Sequence, residues 1–448
     1  MKQPIAIIGA GITGLTVGFY LKKAGIPFTI FEKEDRTGGV INTHYEKGFL
    51  YETGPNSGVL SNIEVLSLID RLHDKVQLET APATAQKRLI WKNHTWHALP
   101  NGLWSAIKTP LFTFSDKLKV LREPWIPKGT NPNESLAKMV QRRLGQSFLD
   151  YAIDPFISGI YAGDPNYLVP RFALPKLYQL EQTYGSFIKG AVAKVRQIKS
   201  PEEKRINKAI FSFKGGLNEL VSALTDEIGK NHIELNQNNI IIEYEKNRFW
   251  INKRPFDKVI TTINAKTLSK ILSFVLPEEI ADITRLKYAR VVEASIGFNH
   301  WQGMDIKAFG GLIPMKEKRN ILGVLFMSSI FQNRAPKQGA LLTVFLGGTR
   351  REELVQLNEK QLFELLKKEL TELLNLSDFS PELFHLHYYP VAIAQYGADS
   401  EKRLKNIIEI EKKYPGLIIA GSVKDGVGIA DRIKQGTHIA QQLINENR

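Results

Sequence analysis

The chain has no cysteine among its 448 residues. That absence excludes disulfides, thiolate metal sites, a cysteine nucleophile and any cofactor tethered through a cysteine thioether. The nine histidines are scattered, and none forms the two-histidine helical pattern of a zinc protease, so no metal site is expected. No stretch approaches the ~18–20 uninterrupted apolar residues that a membrane-spanning helix needs. After Lys2 the first apolar run is broken by glycines and lacks the cleavage pattern of a secretory signal. The expected location is therefore the cytoplasm. Helix-turn-helix, zinc-finger and RNA-binding signatures are missing too, which sets nucleic acid aside as a partner.

What is present is an ordinary globular balance, with 43% hydrophobic and 24% charged residues. The length suits two or three folding units. The formal net charge of +14 is unevenly spread. From Gln86 to Ile210 there are 20 Lys+Arg against 9 Asp+Glu, a surplus of 11. Four of the six tryptophans (Trp91, Trp96, Trp104 and Trp125) stand in the same region. Basic charge beside such aromatics fits an anionic membrane surface or an anionic ligand, and equally a solvated basic face.

Apolar runs and glycines outline the organisation. "PIAIIG" (4–9) reads as a strand, Gly14–Ala24 as a helix and "PFTIFE" (27–32) as a second strand. This strand–helix–strand unit implies parallel pairing through a right-handed crossover. "ITTIN" (260–264) and "LIIAG" (417–421) read as further buried strands of the same open sheet. Residues 102–150 and 165–205 carry helical periodicity. "ESLAKMVQRRLG" (134–145) is one example, capped by Asn133 or Ser135, and "LYQLEQTYGSFIKGAVAKV" (177–195) reads as another helix. Residues 290–350 read as strands and turns, and 360–375 as a helix.

The first loop carries chemistry. Gly9, Gly11 and Gly14 form G-x-G-x-x-G between strand and helix, with Ile12 and Thr13 inside the turn. The first glycine permits the turn, the second lets backbone approach a pyrophosphate, and the third lets helix and strand pack closely. The helix N-terminus then offers free N–H groups to the phosphates. Glu32 ends the second strand, 23 residues after Gly9, where an acid would bond both ribose hydroxyls. A carboxylate there repels a 2′-phosphate, which disfavours NADP.

Further blocks carry a resemblance. "EKEDRTGGVINT" (32–43) and "GFLYETGPNS" (48–57) resemble the flavin amine oxidase superfamily. "RLIWKNHTWHALPNGL" (88–103), "DPFISGIYAGDP" (154–165), "FKGGLNELVSAL" (213–224), "FGGLIP" (309–314), "LLTVFLGGTR" (341–350) and "AIAQYGADSEKRL" (392–404) are similar to the oxygen-dependent protoporphyrinogen oxidase family. The series runs in the family's order over nearly the whole chain. Ala394 and Ala430 stand where the family usually has proline, and Arg432 where it usually has cysteine.

The resemblance implies an α/β and α+β fold of three parts. A discontinuous Rossmann-like FAD-binding domain takes residues 1–85, 206–285 and 400–448. A mainly helical, basic insertion of membrane-binding type takes 86–205, and a β-rich substrate-binding domain takes 286–399. It implies non-covalent FAD held by Gly9, Gly11, Ile12, Thr13, Gly14, Glu32, Lys33, Arg36, Gly39, Glu52, Gly54, Pro55, Asn56, Ser57, Ile240, Gly421, Val427, Gly428 and Ile429. Arg36 would neutralise the pyrophosphate. Arg88 matches the arginine that pairs with a substrate propionate, as a guanidinium can with two parallel hydrogen bonds. Leu312 and Phe345 match the residues that sandwich a pyrrole ring, and Gly159 the glycine whose carbonyl faces the macrocycle N–H groups.

The implied reaction takes protoporphyrinogen IX to protoporphyrin IX, with six hydrogens removed in three hydride transfers to flavin N5. Oxygen is the acceptor and hydrogen peroxide is released. Coproporphyrinogen III oxidation is the alternative, and another amine oxidase-type activity a more distant one. No catalytic acid or base is assigned. The partners implied are the porphyrinogen and oxygen, with an anionic membrane, the next haem-pathway enzyme and a second copy of the chain left open. The closing "GSVKDGVGIADRIKQG" (421–436) lacks room for an acid ~20 residues downstream and so cannot be a second dinucleotide fingerprint. It is expected to serve the isoalloxazine end of the one FAD, with Gly9–Gly14 at the pyrophosphate.

Overall fold

A parallel five-stranded sheet holds the two ends of the chain together. In the computed structural model the described residues are 4–100, 105, 108–197 and 200–447, so Trp104 and residues 101–103 of the quoted block lie outside them. The sheet runs Ile233–Glu234, Phe28–Phe31, Ile5–Ile8, Lys258–Thr261, Leu417–Ile419. Its central strand is buried at every position, as expected when both faces are covered. The first helix, Ile12–Lys23, covers one face together with the last, Ile429–Glu446. The two helices approach closely because Gly436 has no side chain: a Cβ there would lie 2.7 Å from the Thr13 carbonyl oxygen.

A seven-stranded mixed sheet forms the second body. Its order is Leu383–Ala394, Tyr288–Phe298, Ala340–Gly347, Gly323–Phe326, Gly310–Leu312, Arg88–Lys92, Thr95–Ala98. The boundary read at residue 86 does not follow this sheet. Arg88–Lys92 pairs in parallel with Gly310–Leu312, more than two hundred residues away, and Thr95–Ala98 closes the edge. Pairing at that separation leaves no local signal.

The large sheet has two unlike faces. Val292, Ala294, Ile296, Leu342, Val344 and Leu346 pack on the helix Glu359–Leu374. The alternate residues turn the other way, toward the hairpin Asn42–Glu46/Phe49–Thr53, because side chains alternate across a strand. The third body is helical, with Phe114–Arg122, Leu136–Leu144, Asp154–Tyr161, Pro175–Tyr184 and Phe187–Arg196 as its main elements. Ser135 caps the second of these by accepting from Lys138 N–H. The stretch expected as one helix over 177–195 is two: Gly185 takes φ +71° and Ser186 caps a new start, as Gly–Ser commonly does. No helix among the described residues is long and apolar enough to cross a membrane.

Candidate functional site

The first loop is shaped around open space. Gly9 takes φ +104° and donates its N–H to the Phe31 carbonyl at 2.8 Å. A Cβ on Gly14 would stand 2.0 Å from the Gly9 oxygen, so strand and helix meet backbone to backbone. A Cβ on Gly11 would meet nothing within 4 Å. Only the middle glycine therefore faces emptiness, where a pyrophosphate needs to approach. Val40, beside Gly39, stands with an apolar side chain 62% exposed.

Glu32 is buried, and its carboxylate accepts from Ala10 N–H at 2.7 Å and Glu34 N–H at 3.1 Å. Those bonds fix the acid at the end of its strand while each oxygen keeps a lone pair for further donors. Lys33 pairs with Glu34 at the surface. The Arg36 guanidinium donates to the carbonyls of Thr37, Ile41 and Gly39 at 3.1, 3.0 and 2.7 Å. It is the strut of the 37–41 loop, a use that sequence reading missed. Ile240 is buried among core side chains, beyond a segment whose Asn236 and Gln237 N–H groups bond the carbonyls of Glu34 and Glu32.

The closing loop comes to the same place. Thr262 stands between the two: its Oγ1 donates to the Ile8 and Gly9 carbonyls at 3.0 and 3.2 Å, and a Cβ on Gly421 would lie 3.1 Å from its carbonyl oxygen. Gly421 donates to Gln435 Oε1 at 2.7 Å, and Gly428 caps the last helix ahead of Ile429, with Val427 just before it. Arg432 binds the carbonyl and carboxylate of Asp425, which locks the loop from within. Tyr396 donates to the carbonyls of Ser422 and Gly426 at 2.7 and 3.1 Å. Its neighbour Gln395 donates to the Tyr161 carbonyl at 2.8 Å. The Gln-Tyr pair thus ties the closing loop to the helix that carries Gly159.

Below the loops lies a buried polar network. Glu52 accepts from Thr43 Oγ1 at 2.6 Å and Leu217 N–H at 2.8 Å. Burial drives its carboxyl up to about 7, against those two bonds and the nearby Arg334. Glu293 accepts from Gly54 N–H at 2.7 Å and Asn56 Nδ2 at 2.6 Å, and Thr343 Oγ1 donates to Asn56 Oδ1 at 2.8 Å. Burial raises Glu293 to about 7 as well, the negative charge of Glu52 adding to the effect. Pro55 and Ser57 flank Asn56 and are half-buried. Glu293 and Arg334 were not found from sequence. The available signal was one acid inside the otherwise buried strand "YARVVEASIGF", since an acid is almost never fully buried without a partner.

Register then places the residues expected on the substrate side. Glu293, Phe345, Gly323, Leu312 and Ile90 are successive cross-strand partners, so they form one row on one face. Phe345 is the one residue of its strand not fully buried. Leu312 is likewise part-exposed at the end of its own. Gly323 separates them without a side chain across about two strand spacings, ~10 Å, and Leu312 Cδ2 leans over it, 3.1 Å from where a Cβ would stand. Gly159 stands over Leu312, whose Cδ2 would lie 2.6 Å from a Cβ on that glycine. It belongs to the last turn of Asp154–Tyr161, where carbonyls run out of helical donors. Arg350 sets that helix on the sheet by donating to Asp154 at 2.5 Å and Ser158 at 2.6 Å. Arg88 lies on the row's face two residues from Ile90, exposed, with its guanidinium 5.8 Å over the Phe309 ring.

The loops, the open space at Gly11 and the exposed apolar Val40 fit a flavin dinucleotide. The described residues hold no cluster of ligands suited to a metal ion. Comparison with known proteins points the same way. The family described as flavin containing amine oxidoreductase matches residues 12–444. The chain is 30% identical to a mitochondrial protoporphyrinogen oxidase of Nicotiana tabacum over 98% of this chain and 94% of that one. It is 27% identical to a coproporphyrinogen III oxidase of Bacillus subtilis over 97% and 96%. Among solved structures, a proposed protoporphyrinogen oxidase from Exiguobacterium sp. superposes with TM-score 0.82 at 22% identity, covering 100% of this chain and 99% of that one.

Proposed function

The chain belongs to the flavin containing amine oxidoreductase family, and from that premise we propose that it binds FAD without a covalent bond and oxidises protoporphyrinogen IX to protoporphyrin IX. Three molecules of oxygen take up the six hydrogens as three molecules of hydrogen peroxide. The observation that carries the reading is the row of Leu312, Gly323 and Phe345, two part-exposed apolar side chains on one sheet face with Gly159 above Leu312, which we take as the slot for a pyrrole ring.

FAD, when bound, supplies a two-electron acceptor for hydride. The chain's own residues do the rest. Leu312 and Phe345 hold a pyrrole ring flat, and the last-turn carbonyl at Gly159 accepts from buried pyrrole N–H groups, which are costly to leave unpaired. Arg88, which forms no ion pair among the described residues and lies over the Phe309 ring, binds a propionate. The Gly54–Ser57 segment, fixed to the substrate sheet by Glu293, aligns the cofactor side with the slot. Purified protein with FAD should convert protoporphyrinogen to a fluorescent porphyrin faster than the air-oxidation blank. No excess over the blank sinks the proposal. Arg88→Ala should raise KM about 10–100-fold with kcat nearly unchanged, as expected for one lost charge-assisted bond of about 1.5–3 kcal/mol.

The Bacillus subtilis relative favours a second reading, coproporphyrinogen III as substrate. Comparing kcat/KM on the two porphyrinogens decides between them. We further propose peripheral contact with an anionic membrane through the helical body. Phe114, Leu118, Leu121 and Trp125 are exposed along one stripe, Trp125 by 79%, among the basic residues Lys119 and Arg122. Vesicles containing anionic lipid should carry the protein up a flotation gradient, and high salt should release it.

A further inference from the structure

We infer that Glu293 is a positioning residue of this site: from the substrate sheet its carboxyl holds the Gly54 N–H and the Asn56 side chain, and its protonation sets which way the Asn56 amide faces. The inference rests on the reading of the site proposed above. Its basis is a closed set of bonds. Asn56 is buried, 5% exposed, between Glu293 on one side and Thr343 on the other. Its Nδ2 donates to Glu293 and to the Gly54 carbonyl at 3.2 Å, while its Oδ1 accepts from Thr343. With Glu293 ionised, both carboxylate oxygens accept and no proton is out of place.

With Glu293 protonated, the new O–H needs an acceptor. Gly54 N–H cannot serve, being a donor. Asn56 can, by a half-turn of its amide that brings Oδ1 to Glu293 and Nδ2 to Thr343, whose hydroxyl accepts as readily as it donates. Two networks thus exist in one packing, distinguished by a single proton, the second giving up the long Asn56 Nδ2 bond to the Gly54 carbonyl in exchange for the bond from the Glu293 O–H. Glu293 is suited to switch between them, since burial, aided by Glu52, raises it to about 7. The groups facing it are known from every side. Glu52 comes from the hairpin. His387 and Tyr389 come from the neighbouring edge strand, paired opposite Glu293 and Val291. Thr343 and Phe345, from the other neighbour, carry no charge. No cation among the described residues pairs with Glu293. His387 is itself held below the ordinary histidine range, by burial first and then by His44 and His385, so it stays neutral where Glu293 titrates.

The test uses the flavin-loaded protein with Glu293→Gln and Thr343→Val. Without any porphyrinogen, the visible absorption and circular dichroism of the native protein should change through one transition near pH 7. Glu293→Gln should abolish that transition, and Thr343→Val, which removes the partner that completes both networks, should displace it. With saturating porphyrinogen, Glu293→Gln should lower kcat about tenfold or more and leave KM within roughly threefold. A Glu293→Gln protein that keeps the transition, or keeps kcat within roughly twofold once saturated with FAD, overturns the inference. Should Glu293→Gln fail to fold, an undisplaced transition in Thr343→Val overturns it equally. Native protein that shows the transition but never turns over a porphyrinogen removes the proposed substrate and leaves the Glu293 assignment standing.

Discussion

In the helical body Glu123 and Glu181 are buried to 0% and 1% exposure beside Arg143, itself at 1%; under the two glycine loops Glu52 and Glu293 are buried to 1% each, with no arginine among the described residues bonded to either. The first pair is fully answered. Arg143 donates to Glu181 at 2.6 Å, to Glu123 at 2.5 Å and to the Gly185 carbonyl at 2.8 Å. Glu123 also takes the Ser186 hydroxyl and the N–H groups of Phe187 and Ile188, and so caps the helix Phe187–Arg196. Burial alone would raise Glu123, but those bonds outweigh it and hold the carboxyl below its ordinary value. Glu181 stays low for the same reason, through Arg142, Gly129 N–H and Arg143. The second pair meets only neutral donors, so burial wins and both rise to about 7. Equal shielding from solvent, with the second pair lying deeper in the fold and lacking a bonded cation, thus yields charged carboxylates in one place and exchangeable protons in the other. The first arrangement suits a fixed joint, and the second suits a site where protons come and go.

The comparison can be broken by removing its cations. Arg143→Met should cost the most, about 3–5 kcal/mol at neutral pH, because it takes the bonded cation from the buried Glu123 and leaves the buried Glu181 with Arg142 alone. Denaturant unfolding measures it, and a loss under ~1 kcal/mol would mean that the lock is dispensable. Arg334→Met should cost far less, within about 1 kcal/mol, because replacing a weakly paired buried ion with an apolar chain is often neutral. Arg334 donates to Ser212 Oγ at 3.1 Å and the Phe213 carbonyl at 3.3 Å and pairs with Glu79 at a long 3.6 Å, and burial already pulls it below the ordinary arginine range. The same variant should lift Glu52 further, since Arg334 is the charge that lowers it.

The smallest effect sharpens the comparison by its sign. Glu52 is raised in the folded chain from an ordinary 4.5 to about 7, so the folded state binds more protons between those values. Its contribution to stability is full below the lower value and is lost as pH rises to the upper one. Glu123, held low, acts in reverse: its contribution is present above the ordinary carboxylate value and lost as pH falls. Glu52→Gln should therefore flatten the decline in stability from mildly acid to neutral pH. Melting curves across that window check it, and an unchanged slope would place Glu52 outside the titrating set.

Legibility followed sequence distance. G-x-G-x-x-G could be read because its turn, its helix and Glu32 all lie within 23 residues of Gly9. The break at Gly185–Ser186 was missed although its signal is local, since apolar spacing continues through it. Glu293 bonds Gly54 and Asn56 across 239 and 237 residues, and Arg350 bonds Asp154 across 196. No periodicity reports such pairs. Family resemblance named Gly159, Leu312 and Phe345, but only strand register shows that Gly323 stands between Leu312 and Phe345 in one row.

By itself the sequence determined a glycine-bearing loop between strand and helix, an acid at the end of the second strand, and a second glycine loop ahead of the last helix. These are local consequences of backbone freedom and short-range spacing. The tertiary structure decided that both loops meet at Thr262, that the Gln395–Tyr396 pair joins the closing loop to the helix bearing Gly159, and which buried acids are raised and which held low. Those outcomes depend on what lies a few ångströms away in space, and burial with or without a cation is fixed only once the chain has folded.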